Sequence, residues 1–494
     1  MLWIFFLLFF TEFYSKFTLH YLKIARKNIH DYPQKLIFYR RKFGNSRMFI
    51  RRFSLARQCG KTSFGFVLQE PKKMGPTILT LFLGLLPALV ACDNNTNPVI
   101  QDPLGISDEL EIVHLYFGQW VSGIAVSSSG RMFSCYPAGF DQDNTNLGNN
   151  SVVAVVELTG LETDTPYPNE EMNSPPGGAV DTSGIFPVTF GYTEYFLSVQ
   201  TVVIDSEDTL WILDTGRCMY GGLLLGSSPG GTKLISVDLN TNSTIRTYTF
   251  PTNVALPVSF FSDVTFDLVN QFAYIADLSP EQQNAIVVLN LFDGTSYRVL
   301  MNDVSVMIEP GFVPFIYGAP LYQVLYSPSG QIYGYGNIKN GVSGVTLSPD
   351  METLYYSGGG IRFLYCVPTQ LLRNNNTPPS EIVSAVRNLG QQGVSGVITA
   401  DSQGNVYQGN SVNDGIEVYN VTTGYTRNFV HDPRINFISR LIIAADGYLY
   451  FTVTQFHLLP SIYQGFGELG KDRRQKPYVA FRIRLPDGAT LRGT

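Results

Sequence analysis

One unit recurs six times along this chain: an apolar alternating run, a turn rich in Asp, Ser and Gly, then a second apolar run with Tyr, Phe or Trp. The copies are VSGIAVSSSGRMFSCYP from 121, VQTVVIDSEDTLWILDTG from 199, FSDVTFDLVNQFAYIAD from 261, VSGVTLSPDMETLYYSG from 342, VSGVITADSQGNVYQGN from 394 and ISRLIIAADGYLYFTVTQ from 438. Each reads as a β-hairpin, because period-two alternation suits a strand and the Asp/Ser/Gly cluster suits the turn. Between copies lie further hairpin runs, KLISVDLNTNSTIRTYTF (233–250), AIVVLNLFDGTSYRVL (285–300) and GIEVYNVTTGYTRNFV (415–430), which bring each unit to about four strands. A four-stranded antiparallel sheet repeated six times without helical crossovers predicts an all-β chain, a six-bladed β-propeller with four-stranded antiparallel blades. A pair of β-sandwiches would not generate six equivalent hairpins. Closing such a ring takes a strand from each end of the repeat, and LEIVHLYF (110–117) is placed to pair with YVAFRIRL (478–485).

Charge divides the chain unevenly. Residues 1–73 hold 15 Lys/Arg against Glu12, Asp31 and Glu70, about +12, which leaves about −18 for the remainder if the formal total is −6. Lys72 and Lys73 precede Met74 and the apolar run ILTLFLGLLPALVA, with small residues around Ala91 and Cys92, which reads as a secretion signal. The expectation is therefore a basic, disordered extension over 1–73 that belongs to the gene model, a signal peptide over 74–92, and a secreted, extracellular propeller domain over 93–494. Sequons at Asn94, Asn149, Asn242, Asn375 and Asn420 suit a glycosylated surface. With Cys92 removed, Cys135, Cys218 and Cys366 allow at most one internal disulfide. No metal-binding spacing stands out, and no cofactor, nucleic-acid partner or stable membrane insertion after signal removal is expected.

In a propeller the first strand of each blade lines a central channel, and a hairpin returns the chain to the face where it began. Ser122 is expected near Tyr136, Gln200 near Asp214, Asp263 near Asp277, Ser343 near Ser357, Ser395 near Asn410, and Arg440 near Gln455. Convergent polar groups at a concave mouth are a small-molecule site. The ligand-binding candidates are Ser395, Asn410, Ser343, Asp263, Asp277, Gln200 and Tyr136, with Trp120 as a further stacking surface. Glycine after serine in the three VSG copies suits close approach to the axis. Proton-transfer candidates are His457, Asp263 and Arg440, although a lone histidine in TVTQFHLLP equally suits a packed loop. Asp205, Asp267, Asp350, Asp401 and Asp446 read as turn residues that bond their own backbone. Gly226–Gly230 matches a nucleophile-elbow spacing, yet sits in a Gly-rich loop without the strand-to-helix context.

LWILDTG (210–216), FSDVTFDLVNQFAYIAD, GVTLSPDMETLYYSGGGIRFLYCVPTQLLRN (344–374), ADSQGNVYQGN and DGYLYFTVTQFHLLPSIYQGFGELGKDRRQKPYVAFRI (446–483) together resemble the Yellow / major royal jelly protein family, over about residues 100–485. The resemblance implies a secreted six-bladed propeller and a choice of roles: binding biogenic amines in the channel, converting dopachrome, or storage. In amine-binding members a small polar residue at an inner-strand start and an Asn at its hairpin's end touch the ligand; by position these are Ser395 and Asn410, while Val412 stands about where the family has an aromatic contact. A calcium-dependent lactonase is the third chemistry, but Ser343-Gly344 and Ser395-Gly396 stand where such enzymes carry Asn-Gly and Asp-Gly as hard oxygen ligands.

Overall fold

The computed structural model describes residues 105–141, 153–394, 396–486 and 489–490 in full, and three earlier strands by their backbone. The signal segment, Asn94, Asn149 and Ser395 lie outside the described residues. The chain divides into two units, Met1–Gln101 and Asp102–Thr494. In the first, Tyr39–Arg41, Phe49–Ala56 and Lys61–Leu68 pair as a three-stranded antiparallel sheet, where the sequence reading expected no regular structure. FIRRFSLA and KTSFGFVL are rich in residues that favour strands.

The second unit holds six four-stranded antiparallel sheets among the described residues. Five run in simple chain order. Their first strands are Gly123–Val126, Val199–Ile204, Phe261–Asp267, Val342–Leu347 and Ile398–Ala400, in the first to fifth sheets. The sixth begins with Ile438–Ile443, continues through Tyr448–Val453 and Tyr478–Arg484, and ends on Glu111–Tyr116 from the other end of the unit. Tyr478 opposes Tyr116 and Val479 opposes Leu115, so the expected closing strand is present.

Each first strand packs against the first strand of the next sheet, and Ile438–Ile443 packs back against Gly123–Val126. The apolar cores follow the same cycle. Phe133, Val202 and Ile212 join the first sheet to the second; Leu213, Phe261 and Ile275 the second to the third; Tyr274, Val345 and Tyr356 the third to the fourth. Leu364, Ile398 and Val406 continue to the fifth, Ile416, Leu441 and Phe451 to the sixth, and Tyr450, Tyr478, Ile124 and Val156 return to the first. First strands are therefore covered on both faces, as Val342–Leu347 is throughout, whereas fourth strands such as Ser243–Thr249 are mostly exposed.

The axis is crowded. Four of the first strands carry a bulge one residue after they begin, at Gln200, Ser262, Ser343 and Ser439. The bulge displaces the expected register: Val199, not Gln200, opposes Asp214, and Phe261, not Asp263, opposes Asp277. Ser262 and Ser439, rather than Asp263 and Arg440, are thus the counterparts of Ser343. The serine hydroxyls face the next sheet. Ser122 Oγ donates to Gln200 O at 2.8 Å, Ser262 Oγ to Ser343 O at 3.1 Å, and Ser343 Oγ to Gly396 O at 2.9 Å. The following glycines are required by the same closeness: a Cβ on Gly344 would stand 2.8 Å from Gly396 O and 3.1 Å from Ile398 N. Gly344→Ala is therefore expected to destabilise the protein by about 1–3 kcal/mol through overpacking, while Gly118→Ala, with open space around its Cβ, stays within about 0.5 kcal/mol; urea denaturation of the two variants measures the difference.

Candidate functional site

The strand beginnings and hairpin ends share one end of the ring, the start face, and the hairpin turns share the other. Ser128 N and Oγ both donate to Asp208, joining neighbouring turns at that second face. The turn aspartates behave as read. Asp401 Oδ1 accepts from Gln403 N and Asn405 N, Asp205 Oδ1 from Glu207 N and Thr209 N, and Asp446 Oδ1 from Tyr448 N. Asp205 and Asp446 also hold the aromatic residue of the returning strand, through Trp211 Nε1 at 2.7 Å and the Tyr450 hydroxyl at 2.6 Å. Ser228, at the centre of the elbow-like spacing, donates to Thr189 O in a loop.

Thr201, Asp263, Gly344 and Arg440 follow the bulge in their sheets, and Gly123 and Gly396 hold the equivalent position in the first and fifth. Third and sixth sheets stand opposite each other in the cycle, and across it Arg440 NH1 donates to Asp263 Oδ1. Both side chains are buried, at 8% and 2% exposure. Val264 N and Val345 N complete the Asp263 carboxylate at 2.8 and 3.1 Å. Burial raises the Asp263 carboxyl above the ordinary aspartate range, and the Arg440 guanidinium offsets part of that rise. The ion pair thus links opposite sheets across the axis.

The other sequence candidates at the start face are engaged within the protein. Asp277, fully buried, accepts from Phe260 N at 2.7 Å and Ser259 Oγ at 2.6 Å and pairs with Arg298 at 2.7 Å. Asp214 holds Leu197 N, Ser198 N and Lys233 in the same way. Asn410 donates to Glu417 Oε1 at 2.5 Å and accepts from Val412 N and Asn413 N. The Tyr136 hydroxyl donates to Asp164 at 2.6 Å, and the buried Trp120 stacks on Phe140 and donates to Thr454 O. Gln200 differs, since its Oε1 is buried without a partner.

Ser411, Asp414, Asn436 and Tyr317 escaped the sequence reading and lie near the sequence candidate His457 or Asn410. The turn that Asn410 shapes carries Ser411 and Asp414, whose Oγ and Oδ1 are also buried without partners, as are Asn436 Oδ1 and His457 Nδ1. Tyr317 stands beside two of them: its ring meets His457 edge-on at 5.7 Å, its hydroxyl reaches Pro433 O at 3.5 Å, and it is close enough to Asp414 to act on its carboxyl electrostatically. Burial holds the Asp414 carboxyl up at about 6, with His431 and Tyr317 opposing the rise. Burial and then Arg473 push His457 down to about 4. Tyr317 itself has a left-handed backbone, φ 51°, ahead of Gly318, a strained place for an aromatic residue; that strain is visible only in the fold.

Among the described residues, no group of three or more His, Cys, Asp and Glu is placed to hold a metal ion. Cys135, Cys218 and Cys366 are each free and buried. Of the sequons, Asn242 and Asn375 are exposed, whereas Asn420 is half-buried with its Nδ2 bonded to Asn405.

A family model described as "Major royal jelly protein" matches residues 197–455, from the loop entering the second sheet to the end of the sixth hairpin. The chain belongs to the major royal jelly protein family. Among its relatives, major royal jelly protein 6 of Apis mellifera is 23% identical over 364 residues, covering 68% of this chain and 72% of that protein. Major royal jelly protein 3 of Apis mellifera is 26% identical over 224 residues, 44% of this chain and 35% of the relative. Solved structures similar to this royal jelly family member include a gluconolactonase from Xanthomonas campestris, at TM-score 0.39 and 10% identity over 76% of this chain and 95% of that one. A calcium-binding regucalcin from Agrobacterium tumefaciens matches at TM-score 0.41 and 11% identity, over 76% and 92%. Likenesses of that degree say nothing about the chemistry of this chain.

Two outcomes are expected from the site's electrostatics. Removing one member of the crossing pair, as Asp263→Asn or Arg440→Met, leaves a buried charge unpaired and costs about 3–5 kcal/mol; the double variant recovers much of this, and a double-mutant cycle by urea denaturation reads the coupling. For His457 the folded pKa of about 4 lies below its ordinary 6.5, so between those values the unfolded chain binds a proton that the folded one releases. Stability rises with pH across that window. From pH 7 to pH 4 the native protein is expected to lose about 3 kcal/mol more than His457→Gln, measured as urea midpoints at each pH.

Proposed function

We propose that this family member is secreted, folds as a six-bladed β-propeller, and binds a small aromatic, amine-like molecule at the start-face mouth of its channel. The observation that carries the reading is a group of buried side-chain atoms without hydrogen-bond partners at that face, Gln200 Oε1, Ser411 Oγ, Asp414 Oδ1, Asn436 Oδ1 and His457 Nδ1, beside which the donor Arg473 Nε is also unpartnered. An ammonium group has donors and no acceptor, and this set is rich in acceptors. Asp414 supplies the charge once its carboxyl ionises above about 6, and the half-exposed Tyr317 ring beside it supplies an aromatic surface. Asp263 and Asp277, each already paired with an arginine, are not the cation partners in this reading. Asn410 acts by shaping the turn that presents Ser411 and Asp414. Ser395 follows in sequence on Val394, whose carbonyl accepts from Ser411 N at 3.2 Å. Secretion rests on the signal-like segment at 74–92; among the described residues no helix is long and apolar enough to cross a membrane.

A specific feature favours isomerisation of an aminochrome as the second reading. Asp414 and His457 meet around Tyr317 with their pKa values displaced to about 6 and about 4, and a carbon-to-carbon proton shift needs one group to take a proton and another to return it. The neutral imidazole is the base and Asp414 the acid.

Calorimetric titration with tyramine, against its uncharged counterpart 4-ethylphenol, tests the binding. Tyramine is expected to bind at about pH 7.5 and to lose about tenfold in affinity in Asp414→Asn or on lowering the pH below the Asp414 pKa, the scale of one charge-assisted bond. 4-Ethylphenol should be indifferent to both changes. Equal affinity for the two compounds, or tyramine binding untouched by Asp414→Asn, refutes the amine reading. Dopachrome turnover that disappears in His457→Gln while tyramine binding persists would select the isomerase.

A further inference from the structure

Between the third and fourth sheets, residues 310–338 hold no Asp, Glu, Lys or Arg and seven aromatic residues, five of them tyrosines. Part of this segment is a hairpin of Tyr322–Tyr326 and Ile332–Asn337, whose first strand also pairs with Ile462–Tyr463 from the connection inside the sixth sheet. Tyr322 opposes Tyr463 there, while Tyr335 opposes Val324 and is therefore diagonal to Tyr322 on the same face. Three phenol rings gather on that face. Tyr335 stands 4.8 Å from Tyr463 and 5.1 Å from Tyr322, centroid to centroid, near the short end of the range for aromatic pairs.

No other tyrosine pair among the described residues is as close: Tyr192–Tyr195 lies at 5.7 Å, Tyr356–Tyr365 at 5.8 Å and Tyr116–Tyr136 at 6.2 Å. Tyr116, Tyr136 and Tyr356 are also buried, whereas Tyr335 is 51% exposed. A phenol that loses one electron and its hydroxyl proton becomes a radical with spin on the ring carbons ortho to oxygen. Two such radicals join readily only where a second ring is already held beside the first, and a hydrogen-bonded ladder of three strands holds this pair. We infer that Tyr335 and Tyr463 form an oxidative coupling site, at which a peroxidase supplied with hydrogen peroxide joins the two rings. Each phenol gives up one electron and one proton, and the radicals form a carbon–carbon bond between ortho carbons. The two ortho hydrogens then return to the phenol oxygens, and the removed electrons and protons reduce one hydrogen peroxide to two waters. The described cysteines are free and buried, so this bond is a covalent tie of a different kind, fastening the hairpin to the sixth sheet's connection and restricting the unfolded chain as a cross-link does.

Treating the full chain with a plant heme peroxidase and equimolar hydrogen peroxide, followed by trypsin and mass spectrometry, tests the assignment. The expected product is peptide 299–339 joined to peptide 441–471, two hydrogens lighter than their sum, with fragment ions placing the bond at Tyr335 and Tyr463. The coupled protein should remain monomeric on a denaturing gel and unfold at a higher urea concentration than the untreated protein. Tyr335→Phe and Tyr463→Phe keep a ring in place and are each expected to lower the dityrosine fluorescence at least about tenfold. Tyr425→Phe, which removes a tyrosine that is 78% exposed, leaves it unchanged. Dityrosine undiminished in Tyr335→Phe, a bond located at other tyrosines, or coupling only between molecules overturns the inference.

Discussion

Six strands meet around one axis, and the space between their backbones is what the rest of the second unit depends on. A Cβ on Gly344 or Gly396 would fall within 2.8 Å of an atom on the neighbouring sheet, and one on Gly123 2.7 Å from Cys135 Sγ and 3.2 Å from Val202 N, so these positions take glycine for want of room. The adjoining serines turn the same closeness into hydrogen bonds from one sheet to the next. Only where neighbours are small can two long side chains cross the axis, and Asp263 and Arg440 do so from opposite sheets.

That crossing has a chemical consequence. A carboxylate on the axis suggests a cation site when read alone, yet this one is held by an arginine from the far side of the ring. Positive and negative groups cancel there, and what remains uncommitted lies elsewhere. At the start face the unpartnered groups include Gln200 Oε1, Asp414 Oδ1 and Asn436 Oδ1, with Arg473 Nε a donor among them.

The architecture was legible because its signal is repeated. Six hairpins with the same alternation leave little freedom in assigning strands, and the pairing of 110–117 with 478–485 followed from the need to close a sheet. The site was legible only in part. The bulge at the start of four first strands shifts the facing register by one residue, which moves Asp263 and Arg440 off the serine positions that alternation alone predicts. Asp277 and Asn410 looked available because Arg298 and Glu417, their partners, stand on later strands whose register no local pattern reveals. Ser411, Asp414 and Tyr317 carry no periodicity at all; their significance comes from missing partners and from a strained turn, which are properties of packing.

The seam in the sixth sheet gives the ring an order of assembly. Arg482 and Glu111, which meet there, are 371 residues apart, and closing so long a loop costs about 3 kcal/mol more entropy than closing a ten-residue hairpin. Five sheets are contiguous in sequence and can form as synthesis proceeds, each stacking on its predecessor. The sixth must wait until Tyr478–Arg484 has been made. Until then the growing arc presents an unpaired strand edge at Tyr448–Val453, and Glu111–Tyr116 stays unclaimed at the other end. Pairing Tyr478–Arg484 with Glu111–Tyr116 therefore joins the two most distant parts of the repeat.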